Sequence, residues 1–146
     1  MRRLPAEWEP QRFVQLTWPH AATDWAPMLD EVNACFVELA LSVIRFEPLL
    51  VVCANAPEVT RLLRNEIERR KVKIQRSEKA VVSWKVKGSV EPGDDTDGKE
   101  DPFDGLIRLV ELPSNDTWAR DHGGITVYDN GQRVIYDYAF NGWGQK

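Results

Sequence analysis

Five consecutive apolar residues, Leu49-Leu50-Val51-Val52-Cys53, constrain this chain more than any other stretch. A strand with apolar side chains on both faces has to be covered on both faces, so this segment reads as a buried strand. The segments flanking it read as amphipathic helices. Upstream, Met28, Val32, Cys35, Phe36, Leu39 and Val43 recur at steps of three and four and predict one broad apolar stripe. Thr23 or Asp24 is expected to cap that helix, with Pro27 in its first turn and Glu47-Pro48 at its end. Downstream, Asn55, Pro57 and Glu58 supply a cap, a first-turn proline and a first-turn acid. The second helix is expected to run to about Arg70 and to bury Val59, Leu62, Leu63 and Ile67.

Further strands are expected around this centre. Phe13 to Trp18 alternates and is ended by Pro19; Val72-Lys73-Ile74, Ala80 to Val86 and Leu106 to Leu112 are the others. Ile125 to Tyr128 and Arg133 to Tyr136 flank Asp129-Asn130-Gly131-Gln132, where Asn-Gly predicts a tight hairpin whose turn residues both accept positive φ. Strands alternating with helices and then a hairpin indicate an α/β or mixed α+β domain. The acidic, proline- and glycine-rich stretch at about 88–105 is expected to be a surface loop.

Composition narrows the functional classes. A chain of 146 residues makes one ordinary domain with a real core. A net charge of −4 argues against binding to a nucleic-acid backbone, and Arg69 to Lys73 reads as a solvated helix end. No apolar run follows Arg2 and Arg3, and no segment is long enough to span a bilayer, so a cytoplasmic protein is expected. Cys35 and Cys53 are expected to be buried small hydrophobes, forming neither a disulfide nor a nucleophile. No metal is expected. With Gly98 at the glycine position of an EF-hand loop, the first ligand position falls on Gly93 and the twelfth on Asp104, and the register fails. His20 and His122 have no ligand spacing around them. No phosphate-cradling loop and no nucleophile elbow occur, and no cofactor is implied.

The chemistry concentrates in Asn115-Asp116-Thr117-Trp118-Ala119-Arg120-Asp121-His122-Gly123-Gly124. A carboxylate beside an indole suits a flat cation, because the acid takes the charge and the ring takes the face. The terminal glycines would let a ligand approach the backbone closely. Two readings of Trp118 to Asp121 stand side by side: a cation site, or a loop salt bridge over a packed indole. Trp118 and Trp143 sit in glycine-flanked loop segments, where binding groups gather, whereas Trp25 and Trp84 read as packing residues. Adjacent residues on a strand-like segment point opposite ways, so His122 is expected to be a bystander to Asp121.

Three segments resemble the agmatine deiminase and bacterial-type peptidylarginine deiminase family of guanidino-group-modifying enzymes. They are Leu4-Pro5-Ala6-Glu7-Trp8-Glu9-Pro10 with Thr17-Trp18-Pro19, then Asn115 to Gly123, then Asp137 to Lys146 with Phe140-Asn141-Gly142-Trp143-Gly144. The resemblance implies a pentein fold, an α/β propeller of ββαβ units, with residues 1–146 supplying the first unit and part of the second. It implies a guanidinium substrate, agmatine, converted to N-carbamoylputrescine and ammonia in polyamine synthesis. Asp121 matches a substrate-binding carboxylate and Trp118 the indole beside the substrate, with Asn141 and Trp143 as weaker matches. The family's nucleophilic cysteine, catalytic histidine and second carboxylate lie downstream of the motif at Asn141, so this chain is expected to be an N-terminal portion without turnover. Gly124 stands where the family usually has proline, and residues 91–104 resemble an insertion. Peptidylarginine as substrate, and a non-catalytic remnant or interaction module, are the alternatives. Open strand edges in a partial propeller would favour self-association.

Overall fold

Burial explains why Leu49–Cys53 is so apolar. This segment is the centre of a three-stranded sheet in a computed structural model that describes residues 1–72, 103 and 105–139. Numbered in chain order, the strands of this sheet are β2 (Val14–Thr17), β3 (Leu49–Cys53) and β4 (Ile107–Glu111), in the order β2-β3-β4 and all parallel. Leu49, Val51 and Cys53 are wholly buried, while Leu50 and Val52 on the other face are half-buried. The strands expected at 72–74 and 80–86, the acidic loop at about 88–105, and Asn141 and Trp143 lie outside the described residues, apart from Val72, Phe103 and Gly105.

Parallel neighbours require a crossover, and each helix supplies part of one. Helix α1 (Leu29–Val43) lies between β2 and β3, and α2 (Ala56–Arg70) follows β3; the two helices pack against each other. Arg70 pairs with Glu38 of α1 and Glu66 of α2, and Arg69 also bonds Glu66, so an exposed ion cluster laces the helices. Both carboxyls are held below the usual carboxylate range, Glu38 by Arg70 and Glu66 chiefly by Arg69.

The ends of α2 follow its sequence closely. The Asn55 Oδ1 accepts the Glu58 N–H at 3.1 Å, and Lys71 closes the helix in the left-handed region at φ 49°. Val59 and Leu63 are buried, Leu62 and Ile67 partly.

Helix α1 departs from expectation twice. Neither Thr23 nor Asp24 caps it. The Thr23 hydroxyl donates instead to the His20 carbonyl at 2.7 Å, and Ala26–Met28 form a 3-10 turn that delays the α-helix to Leu29. The buried stripe is also rotated: Val37, Ala40 and Leu41 face the core, together with Ile44. Leu39 and Met28 are about half exposed and Cys35 is exposed, which corrects the expectation of a buried Cys35; Cys53 is buried as expected. Apolar residues occupy two overlapping stripes in this segment, and the one containing the small Ala40 faces the core.

A second three-stranded sheet is antiparallel, in the order β1-β5-β6, with β1 (Arg2–Arg3), β5 (Ile125–Asp129) and β6 (Gln132–Tyr136). The expected hairpin is present, and its turn residues Asn130 and Gly131 have φ of 50° and 82°. Strand β1 was not legible as a strand. It is held by pairing to β5, by Arg2 on Asp129 at 3.1 Å, and by the Arg3 guanidinium over the Tyr128 ring. No helix among the described residues is long and apolar enough to cross a membrane.

Candidate functional site

Strand β4 ends at Glu111, and the chain then runs without regular structure to Trp118 before a single helical turn, α3 (Ala119–His122). Four residues cannot sustain a helix alone, so this turn depends on what holds its approach. The Asp116 Oδ1 accepts the Trp118 N–H at 3.0 Å, Thr117 O accepts the Ala119 N–H at 2.9 Å, and Trp118 O accepts the Asp121 N–H at 2.8 Å.

The rest of the support comes from far away in sequence. The His20 Nε2 donates to Ser114 O at 2.8 Å, while its Nδ1 accepts the Ala22 N–H at 3.2 Å, so one neutral tautomer serves both bonds. The Trp25 indole N–H donates to the Thr117 hydroxyl at 2.8 Å. Trp18, buried in the core, bonds Asn33 through its own indole N–H and meets Phe36 edge to face. Between Thr23–Trp25 and Asn115–Trp118 lies a cleft of about 250 Å³. Trp25, expected to be a packing residue, is half-buried, lines this cleft and bonds the motif. His20, Trp25 and Thr117 were missed as site supports because nothing in local spacing links them.

The predicted binding residues emerge on the surface. The Trp118 side chain is 62% exposed, Asp121 is exposed, and the Asp121 carboxylate has no hydrogen bond or ion pair among the described residues. Arg120 reaches Glu7 at 3.6 Å, with both side chains nearly fully exposed, and makes no pair with Asp121. A pair so exposed contributes little. The salt-bridge reading of Trp118 to Asp121 therefore has no Arg120–Asp121 bond to rest on. Asp121 and His122 share a helical turn where a strand-like segment was expected; their side chains still diverge, by about 100° of helical rotation. Gly123 has an unexpected role: a Cβ there would stand 2.4 Å from Ala119 O, so its missing side chain makes room for its own helix.

Neither cysteine has the surroundings of an activated thiolate. Burial pushes the Cys53 thiol up, and Glu111 adds to the shift. Cys35 lies on the exposed side of α1. Among the described residues no group of three or more His, Cys, Asp or Glu could hold a metal ion.

Residues 3–146 match the family model of the Porphyromonas-type peptidyl-arginine deiminases. The chain belongs to this family. Agmatine deiminase from Pseudomonas aeruginosa is 29% identical over 143 residues, and that from Stutzerimonas stutzeri 29% over 144. These alignments take in 97% and 98% of this deiminase-family chain and 29% of either relative, so it spans about three-tenths of their length. Among solved structures, a Porphyromonas gingivalis protein assigned as an arginine deiminase superposes with a TM-score of 0.65 at 41% identity, covering 100% of this chain and 32% of that one. An agmatine deiminase of C. jejuni, solved with substrate bound, shares the fold at the same TM-score, 24% identity and the same coverage. The family member described here is accordingly a mixed α/β structure with deiminases as its structural neighbours.

Proposed function

We propose that this chain supplies the guanidinium-binding part of an agmatine deiminase-type guanidine hydrolase, with Asp121 as anchor and Trp118 as apolar wall. The observation that carries this reading is the exposed Asp121 carboxylate, unpaired among the described residues and one turn from an exposed indole. A carboxylate can take two guanidinium N–H groups at once, while the indole covers the methylene chain or the cation face. Together they would hold the guanidinium carbon in place for attack by a thiolate, after which ammonia leaves and water hydrolyses the amidino intermediate. The thiolate and the proton-transferring histidine are not assigned to any residue here: Cys53 is buried and Cys35 sits on α1. Asn141 and Trp143 are assigned weaker contacts with the same substrate through the family resemblance.

The pentein arrangement, with residues 1–146 as its N-terminal part and residues 88–105 as a loop on it, rests on the same family and on the share of its relatives that the chain spans. A small cationic substrate fits a cytoplasmic site of action. Exposed Ile125, Ile135 and Tyr138 on and beside the hairpin favour self-association, which light scattering would show as a mass rising with concentration.

Isothermal titration of the purified chain with agmatine tests the reading. Asp121→Ala is expected to weaken binding about ten- to a hundredfold, because charge-assisted bonds are lost. Its unfolding free energy should move by less than about 0.5 kcal/mol, since the side chain is exposed and unpaired. Heat that persists unchanged in Asp121→Ala would sink the assignment, and wild-type chain without heat would mark a decayed site. Peptidylarginine is the second reading, favoured by the name of the matching family; an arginyl peptide binding more tightly than agmatine would select it.

A further inference from the structure

Two side chains from the segment between β2 and α1 grip the approach to α3, and their placement has a functional consequence. Thr23 is buried and tied to the His20 carbonyl, and the Ala26 N–H reaches back to Thr23 O at 3.1 Å. Trp25 follows in the same fold and leads through the 3-10 turn into α1, which is anchored in the core. This is a fixed body. Leu112 is still tied to β3, its N–H donating to Cys53 O at 3.0 Å, but Pro113 to Trp118 has no ladder or helix of its own, and that body touches it at Ser114 O and the Thr117 hydroxyl.

We propose that Trp25, through its indole N–H on the Thr117 hydroxyl, is a positioning residue that sets where Trp118 and Asp121 stand, with His20 holding the same segment at Ser114. This rests on the functional reading of Trp118 and Asp121 given above. The linkage is short and continuous. Thr117 O takes the Ala119 N–H, Trp118 O takes the Asp121 N–H, and Ala119 O takes the Gly123 N–H at 2.7 Å. A shift of Thr117 therefore passes directly into the one-turn helix carrying Asp121, which has too few residues to hold its own geometry. The bond is partly buried, so removing either partner leaves the other, the hydroxyl or the N–H, short of a partner. A Trp25 that served as packing alone would be replaced adequately by another flat ring. A Trp25 that positions the site would not, because only the indole carries the donor.

The test uses the full chain and four variants: Trp25→Phe, Thr117→Val, the double variant, and Thr117→Ser, which keeps the hydroxyl. Hydrogen exchange of the Ala119–His122 amides is measured without ligand, agmatine affinity by calorimetry, and the thermal midpoint beside them. Trp25→Phe and Thr117→Val are each expected to speed exchange at Ala119–His122 and to weaken agmatine about fivefold, the worth of one hydrogen bond. The double variant should be no worse than either single one, and Thr117→Ser should match wild type. Wild-type exchange and affinity in Trp25→Phe would overturn the proposal. So would additive losses in the double variant, or faster exchange spread over the whole chain with a lowered midpoint, which would make Trp25 a packing residue. If wild type itself shows no Asp121-dependent heat, the functional reading falls. The exchange data then decide the positioning alone: local acceleration in Trp25→Phe but not in Thr117→Ser sustains it, and no acceleration overturns it.

Discussion

Gly123 shows how much a single missing side chain does here. Its φ is ordinary, and the constraint is space: any Cβ would press on the Ala119 carbonyl that its own N–H already bonds. Gly123→Ala is expected to destabilise the α3 turn by about 1–3 kcal/mol, the usual range for overpacking, and to speed amide exchange from Ala119 to Gly123. Unchanged exchange there would show that the turn opens to accept the methyl. Thr17 is the opposite case. Its side chain is wholly buried at the end of β2, and its hydroxyl has no partner among the described residues. Thr17→Val keeps the shape and removes the orphan, so chemical denaturation should show a gain of about 1 kcal/mol. A loss of that size would reveal a partner for the hydroxyl. Asp121 and Trp118 stood out as candidates because an acid, an indole and a glycine pair lie within a few residues of each other. The Trp25–Thr117 bond joins residues 92 apart in sequence and no local pattern announces it.

At the level of elements, legibility follows how local the determining forces are. The start of α2 is written in Asn55, Pro57 and Glu58, and the structure repeats it. Asn55→Ala is expected to cost about 1 kcal/mol, the worth of an N-cap, measured as a shift in denaturation midpoint at constant slope. A shift below about 0.3 kcal/mol would mean that the Ala56 N–H bond to the Glu111 carboxylate secures the end by itself. The hairpin turn is equally local, because only Asn130 and Gly131 have to accept positive φ. Helix α1 was half legible. Its existence follows from apolar periodicity, but its orientation depends on which of two overlapping stripes fits the sheet, and the stripe holding Ala40 prevailed. Cys35 turned outward for that reason.

For the molecule as a whole, two sheets share one chain, and Arg2–Arg3 at its start belong to the sheet formed by the last described strands. The Met1 amino group bonds the Asn130 side chain, and Arg2 pairs with Asp129. Removing Met1–Arg3 is expected to expose the outer edge of β5 and to speed exchange in Ile125–Tyr136, while Leu49–Cys53 stays protected. Loss of protection in both sheets together would show that they unfold as one unit. Such pairing across the chain has no signature in two arginines that otherwise read as a charged terminus.

The sequence by itself determined the α/β character, the buried central strand, the capped second helix and the hairpin, and it marked the segment carrying Trp118 and Asp121 as the candidate site. Each of these depends on residues within about one or two turns of each other, where periodicity, capping and turn stereochemistry act. Only the tertiary structure decided the parallel order of β2, β3 and β4, the rotation of α1, the recruitment of Arg2–Arg3 as a strand, and the bonds of His20 and Trp25 to Ser114 and Thr117. Those features come from contacts between distant residues, whose free energy depends on the shapes that meet rather than on the spacing along the chain.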